Sequence, residues 1–244
     1  MLKVFPTTSN LDVALQFHAF LFNVILVGLE DVAKILNTMK NEVLYVLLDN
    51  YADHEPVFLA TAITCGEKGM RENPKYVNKV VAPTLNPVRS CGGFQTLPDY
   101  SFDTMPEEYA ALVLIGGYGW LDDEVADKVV PLVKAAIEKH CIVGAICNAA
   151  SFMAKHGFLN EVKHTGNGLE QLKLWGGSNY TNEVDYMDEQ AVSDKCIVTA
   201  NGTAELEFAA ELLFLLQNDT PEQIEMFYRF NKEGFVQMLQ SKQK

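Results

Sequence analysis

The segment Cys141-Ile142-Val143-Gly144-Ala145-Ile146-Cys147-Asn148-Ala149-Ala150 runs from an apolar strand straight into a helix that begins near Ala149. A residue at such a junction sits on a tight turn. The small neighbours Gly144, Ala145, Ala149 and Ala150 are what a strained strand-to-helix elbow requires. Cys147 would then project at the sheet edge beside the positive end of the helix, where the dipole and free backbone N–H groups lower a thiol's pKa. This is the geometry of a nucleophile. A free cysteine beside a strand is also commonly a small buried hydrophobe, and the segment alone does not choose between the two. Cys65, Cys91, Cys141 and Cys196 lack the elbow and read as structural residues.

Three further places hold residues of chemical use. In Asn50-Tyr51-Ala52-Asp53-His54-Glu55-Pro56, Asp53 is a sensible helix N-cap and Pro56 is tolerated in a first turn. Glu55, taken by itself, is an acid stabilised at a helix start. A metal site built on Asp53-His54-Glu55 is disfavoured, because consecutive residues entering a helix point in different directions and no second His/Asp cluster is evident. Leu114-Ile115-Gly116-Gly117-Tyr118-Gly119-Trp120 ends a buried strand in glycines, which either form a plain turn or let backbone amides approach a ligand. His164, in Lys163-His164-Thr165-Gly166-Asn167, lies on a short strand, where a lone histidine is more often satisfied structurally. His140 and His156 end helices and suit the negative dipole end.

These positions share a placement. Glu42 to Leu48, Tyr76 to Ala82, Ala111 to Ile115, Cys141 to Ile146 and Cys196 to Ala200 are apolar runs of strand length, as strands covered on both faces should be. Helical patterns lie between and after them at Pro56 to Cys65, Asp122 to Lys139, Ala149 to His156 and Thr203 to Leu216. Val88 to Pro98, broken at Cys91-Gly92-Gly93, predicts a hairpin or an irregular excursion, and Pro221 to Leu239 a C-terminal helix. Repeated strand and helix means an α/β fold: a mostly parallel central sheet with right-handed crossovers and helices on both faces. Ligands of such sheets bind beyond the carboxyl ends of the strands, where Glu55, Gly116, Gly117 and Cys147 all fall.

Composition narrows the function classes. The chain has 244 residues, with 19 Lys and Arg against 32 Asp and Glu, a net charge of −13. Such acidity repels phosphate backbones and anionic lipid, so neither nucleic acid nor a membrane surface is an expected partner. Apolar residues at 48% and charged residues at 21% are globular values. The five cysteines are odd in number, widely spaced and without a CxxC pair, which favours a reducing, cytoplasmic setting. From Leu11 to Leu36 the chain is strongly apolar, but Lys3 alone is a poor positive start, Glu30 and Asp31 follow, and no A-x-A cleavage site is present. We read residues 1–38 as an apolar extension, either an additional helix or a segment ahead of a natural start at Met39, dispensable for the fold. Residues 39–244 then form one domain.

The stretch Val143 to Asn167, with Gly116-Gly117 before it and Ala52-Asp53-His54-Glu55-Pro56 near the start, resembles the DJ-1/PfpI family of the class I glutamine amidotransferase-like superfamily. The resemblance runs from about residue 41 to 220, includes Val198 to Ala204, and is strongest to small bacterial proteins described as type 1 glutamine amidotransferases. It implies a three-layer, flavodoxin-like sandwich and a homodimer. It implies that Glu55 lies against Cys147, shares a proton with the thiol and supports its ionisation. It also implies that the N–H groups of Gly117 and Asn148, beside Gly116, form an oxyanion hole. The chain departs from the pattern in its histidines. Relatives that look like intracellular proteases carry His directly after the nucleophile, and amidotransferases proper place a His-Glu pair late in the chain; here stand Asn148 and Asn201 to Glu207. The third catalytic residue falls near His164, with Asn167 as an equal alternative or no such residue at all.

The resulting expectation is a cofactor-independent, cytoplasmic thiol enzyme with catalytic Cys147, Glu55 and His164, acting on a small amide or carbonyl compound. True amidotransfer would need a separate partner to receive ammonia. The alternatives are a glyoxalase- or deglycase-type activity, and a redox-sensing or chaperone-like relative in which Cys147 is oxidised without turnover.

Overall fold

The computed structural model describes residues 41–66 and 69–241. The reading of residues 1–38 falls outside them. In chain order the main elements are β1 (Glu42–Val46), α1 (Val57–Thr64), β2 (Val77–Ala82), β3 (Tyr100–Ser101), β4 (Ala111–Leu114), α2 (Asp123–Ala126), α3 (Val130–Glu138) and β5 (Ile142–Ile146). There follow α4 (Asn148–Lys155), α5 (Leu169–Gly176), β6 (Ala191–Asp194), β7 (Ile197–Ala200), α6 (Glu205–Leu216), α7 (Pro221–Glu233) and α8 (Phe235–Ser241). The sheet order is β6-β7-β5-β4-β1-β2-β3, parallel throughout except for the pair β6–β7.

Period-two alternation divides each buried strand between two cores. In β1 and just beyond it, Leu44, Val46 and Leu48 join Val129, Val133, Phe152 and Met153 from α3 and α4 and the turn before α3. Val43, Tyr45 and Leu47 join Leu59 and Ile63 of α1 and Phe208, Leu212 and Leu213 of α6. Helices therefore cover both faces, and the flavodoxin-like α/β sandwich follows from central strands, β4 and β5 above all, that are apolar at every position. The expected hairpin forms between Val88–Arg89 and Gln95–Thr96.

Four features differ from the sequence pattern, each for a local reason. The segment expected as one helix from Asp122 to Lys139 is α2, a 3₁₀ turn at Asp127–Val129, and α3. Pro131 lacks an N–H and clashes with the preceding turn, so it sits in the first turn of α3 rather than inside a longer helix. The C-terminal helix divides at Gly234, whose φ of 88° ends α7. The eight-residue α5 opens after Gly168 at φ 126° and is too short for its apolar residues to set a clear period. The edge strand β6 is four residues long and half-buried, and it turns into β7 through Lys195 at φ 52°.

The topology fixes where ligands can enter. The chain builds outward from β1 through β2 to β3, then returns to lay β4 on the other side of β1, so the strand order reverses between β1 and β4. A crevice opens there beyond the carboxyl ends of the strands. β5, next to β4, is thin at its centre: a Cβ on Gly144 would lie 2.9 Å from Phe208 Cζ and 3.1 Å from Leu212 Cδ1. This close seating lets α6 lie directly over the strand that leads to Cys147. Gly144→Val should lower stability by about 1–3 kcal/mol through overpacking, seen as a reduced urea midpoint. An unchanged midpoint would mean that α6 has room to retreat.

Candidate active site

Glu55 comes from the loop between β1 and α1, Gly116 from the end of β4, and Cys147 from the end of β5. Cys147 has φ 59° and ψ −126°, a conformation an L-residue adopts only under constraint. The constraint is visible: its N–H donates to Ala200 O at 3.0 Å in β7, and its carbonyl accepts the Ala150 N–H at 3.1 Å in α4. The elbow expected from the small residues around it is present.

Gly116 brings the acid to the thiol. Its N–H donates to Glu55 Oε2 at 2.6 Å. A Cβ at position 116 would fall 2.5 Å from Cys147 Cβ and 2.7 Å from Glu55 Oε2, so a glycine is required for the two side chains to meet across it. This revises the expectation for Gly116 itself: its amide is taken by Glu55 and is not available to a substrate. Glu55 is only 1% exposed, and its Oε1 has no hydrogen-bond partner among the described residues.

Burial dominates the electrostatics of the pair. It pushes the Glu55 carboxyl up to about 8, against opposing hydrogen bonds from Gly116 and Cys147. Burial also raises the Cys147 thiol, followed by the charge of Glu55; the Asn167 side chain and the Asn148 N–H pull it down. The expected net lowering of the thiol by the helix start is therefore not what the environment produces, because desolvation outweighs the two donors. Glu55 and Cys147 titrate as a pair whose protons belong to both.

Of the two candidates near the thiol, Asn167 is the one that touches it. Its Oδ1 accepts the Gly202 N–H at 2.8 Å, which turns its Nδ2 to the sulfur, 3.3 Å away. His164 is not brought to the thiol. It is fully buried, with Nδ1 2.8 Å from Val162 O and Nε2 2.7 Å from Tyr180 Oη, so both ring nitrogens are engaged in the core. In place of the expected short strand, His164 makes an isolated bridge to Tyr186, and the histidine is satisfied structurally.

Gly117, at φ 124°, could carry no Cβ, which would lie 2.2 Å from Asn50 O. The flanking hydrogen bonds to the Tyr51 loop are made by Tyr118 N to Asn50 O and by Ala52 N to Gly116 O, which leaves the Gly117 amide out of that ladder. The Asn148 side chain ties the glycine turn to α5, giving Nδ2 to Gly117 O at 2.9 Å and accepting from Gln171 Nε2 at 3.0 Å. Trp120 is buried beneath the turn, donating to Ile115 O at 2.7 Å, whereas Tyr118 is exposed. Sequence reasoning passed over Gly202, where a Cβ would sit 2.8 Å from the Cys147 sulfur; its only signal is its place directly after the last strand. An open cleft of about 560 Å³, lined by Asn167, Gly202, Thr203, Tyr186, Asp188 and Glu189, adjoins this corner. Among the described residues no group of three or more His, Cys, Asp or Glu is gathered as a metal site.

This arrangement can be set beside known proteins. The profile of the DJ-1/PfpI family matches residues 41–215. The chain belongs to the DJ-1/PfpI family. It is 39% identical over 193 residues to the Bacillus subtilis protein named "Uncharacterized protease YdeA", covering 79% of this chain and 91% of that one. A second Bacillus subtilis relative, "Uncharacterized protease YoaZ", is 33% identical over 156 residues, covering 64% of this chain and 71% of that one. Among solved structures, a DJ-1 superfamily protein from Agrobacterium tumefaciens matches with a TM-score of 0.70 at 35% identity, covering 79% of this chain and 98% of its own. Drosophila melanogaster DJ-1beta, at 20% identity and a TM-score of 0.62 over 80% of this chain and 99% of that one, shares the fold. Glu55, Gly116 and Cys147 all lie within the residues that match the DJ-1/PfpI family.

Two measurements test this site. Glu55 keeps its proton to about 8 in the folded chain against an ordinary value of 4.5, so between those values the unfolded chain ionises while the folded chain does not. Stability must therefore fall as pH rises through that window, by an order of a few kcal/mol. Glu55→Gln, which cannot ionise, should gain stability relative to the native chain between pH 5 and pH 8 in urea unfolding; an equal difference at both pH values would mean that folded Glu55 is already charged. For His164, Tyr180→Phe should cost about 1–3 kcal/mol by stranding a buried ring nitrogen and leave Cys147 alkylation unchanged. A slowed alkylation would reinstate His164 in the site.

Proposed function

We propose that this DJ-1/PfpI protein is a cofactor-independent thiol hydrolase of the amidotransferase-like type, acting on a small amide or carbonyl compound. The observation that carries the reading is Cys147 on its strained elbow with a buried carboxyl against it. In the reactive form the pair has lost one proton and the proton that remains resides on Glu55, the arrangement that leaves a thiolate on Cys147. The thiolate adds to the substrate carbonyl carbon, and the oxyanion is taken up by the N–H groups of Gly117 and Asn148. Glu55 then gives its proton to the departing amine, and a thioester remains on Cys147 for water to cleave. Asn167, a neutral donor to the sulfur, holds the thiolate in place without competing for the proton. The Bacillus subtilis relatives are named proteases, and what we carry over is thiol chemistry at a carbonyl rather than a peptide substrate.

In this reading the chain works as a homodimer, as its resemblance to the family implies, in the reducing cytoplasm suggested by five free cysteines. Incubation with glutamine, methylglyoxal and short peptides, each compared with Cys147→Ser, tests the proposal. Turnover of one of them, reduced by two or more orders of magnitude in the variant, supports it. Equal turnover by Cys147→Ser would remove Cys147 from the reaction. No turnover of any, together with selective oxidation of Cys147 by dilute peroxide, would favour a redox-sensing role instead.

A further inference from the structure

Gly117 sets a requirement on the proposed reaction. Its φ of 124° suits glycine alone, and a residue without a side chain cannot be held by side-chain packing. An amide that is to receive an oxyanion must instead be held through the backbone around it. Three hydrogen bonds do this. Ala52 N–H donates to Gly116 O at 3.0 Å and Tyr118 N–H to Asn50 O at 2.9 Å, and both tie the turn to the loop after β1. The third bond runs the other way, toward the thiol: Asn148 Nδ2 donates to Gly117 O at 2.9 Å. Asn148 directly follows Cys147, and its own N–H acts on the sulfur. One residue therefore supplies the second amide of the pair and holds the turn that carries the first.

The direction of this bond is set from outside it. A side-chain amide can turn end for end, and with Asn148 Oδ1 facing Gly117 O two acceptors would meet. Gln171 opposes that turn. Its Nε2 donates to Asn148 Oδ1 at 3.0 Å, and because Gly117 O can only accept, the chain from Gln171 through Asn148 to Gly117 has a single consistent polarity. None of its three members is charged. Gln171 is half-buried in the first turn of α5, and that helix is seated on α4. Leu172 is fully buried in the core that holds Phe152 and Met153, and a Cβ on Gly176 would lie 3.2 Å from Ala154 O. Just ahead of the same helix stands Asn167, the side chain that touches the sulfur.

We propose that Gln171 is a positioning residue for the oxyanion hole: by fixing the Asn148 amide it fixes the Gly117 turn, and with it the separation of the Gly117 and Asn148 N–H groups. The inference rests on the thiol reading, in which those two groups receive the carbonyl oxygen. Gln171 acts through Asn148 and not on the sulfur, so its effect is confined to reactions that place charge on a carbonyl oxygen.

Two reagents separate this role from a structural one in the full chain. 4-Nitrophenyl acetate acetylates a thiolate through a tetrahedral oxyanion, nitrophenolate leaves, and mass spectrometry identifies acetyl-Cys147. Iodoacetamide alkylates the same sulfur by displacement of iodide and forms no oxyanion. Gln171→Met keeps the length and the apolar stem but cannot donate. It should acetylate about tenfold more slowly, less than the loss of a whole oxyanion donor costs, and be alkylated at the native rate. Adding Gln171→Met to Asn148→Ala should slow acetylation no further than Asn148→Ala alone, since both break one chain. Acetylation of Gln171→Met at the native rate, an equal fall in both reactions, or slowing that adds to that of Asn148→Ala would each overturn the role of Gln171 and leave the thiol reading standing. Absence of acetyl-Cys147 in the native chain would overturn the thiol reading, and this inference with it.

Discussion

A glutamate side chain with almost no solvent exposure is pressed against a cysteine thiol, and the fold makes this contact affordable only by removing every side-chain atom between them. Gly116 has none, and its amide supplies, among the described residues, the one backbone donor that Glu55 receives. The pair could not be assembled from one element: the acid comes after β1, the glycine after β4 and the thiol after β5. The parallel sheet, with its order reversing between β1 and β4, is what sets the three strand ends side by side. The two apolar cores, one on each face, hold that sheet rigid enough to keep Cys147 at φ 59°.

Desolvation gives the pair its character. A helix start and two nearby donors favour the thiolate, yet burial of sulfur and carboxyl together is the larger effect and holds protons on both. Such a site differs from a cysteine–histidine pair, in which an imidazolium stabilises the thiolate by opposite charge. In the proposed reactive form the thiolate would be stabilised by hydrogen bonds, one from protonated Glu55 and one from Asn167, rather than by a positive charge.

Much of this was legible in the sequence. Apolar runs without alternation at Glu42–Val46 and Ala111–Leu114 read as strands covered on both sides, and Gly144-Ala145 before Cys147 read as an elbow. Glu55 beside Cys147 was readable only through family resemblance, because nothing local in Asp53-His54-Glu55 distinguishes a helix-start acid from a catalytic one. The role of Gly116 was not legible: two adjacent glycines look alike in sequence, and only the backbone direction decides that one amide meets Glu55 and the other faces away from the Tyr51 loop. His164 and Asn167 were inseparable for a similar reason. Three residues apart in a loop, they point to opposite environments, one into the Tyr180 pocket and the other to the sulfur. The short elements β6 and α5 escaped notice because four to eight residues carry too little periodicity to register.

The central claim is that Cys147 and Glu55 share their protons. The rate of Cys147 alkylation by iodoacetamide, followed from about pH 5 to about pH 10 in the native chain and in Glu55→Gln, tests it directly. A shared site predicts a native profile with two macroscopic steps that collapses to a single step in the variant. Superimposable profiles would show that the two groups titrate independently and that the buried carboxyl has no part in the chemistry of the thiol.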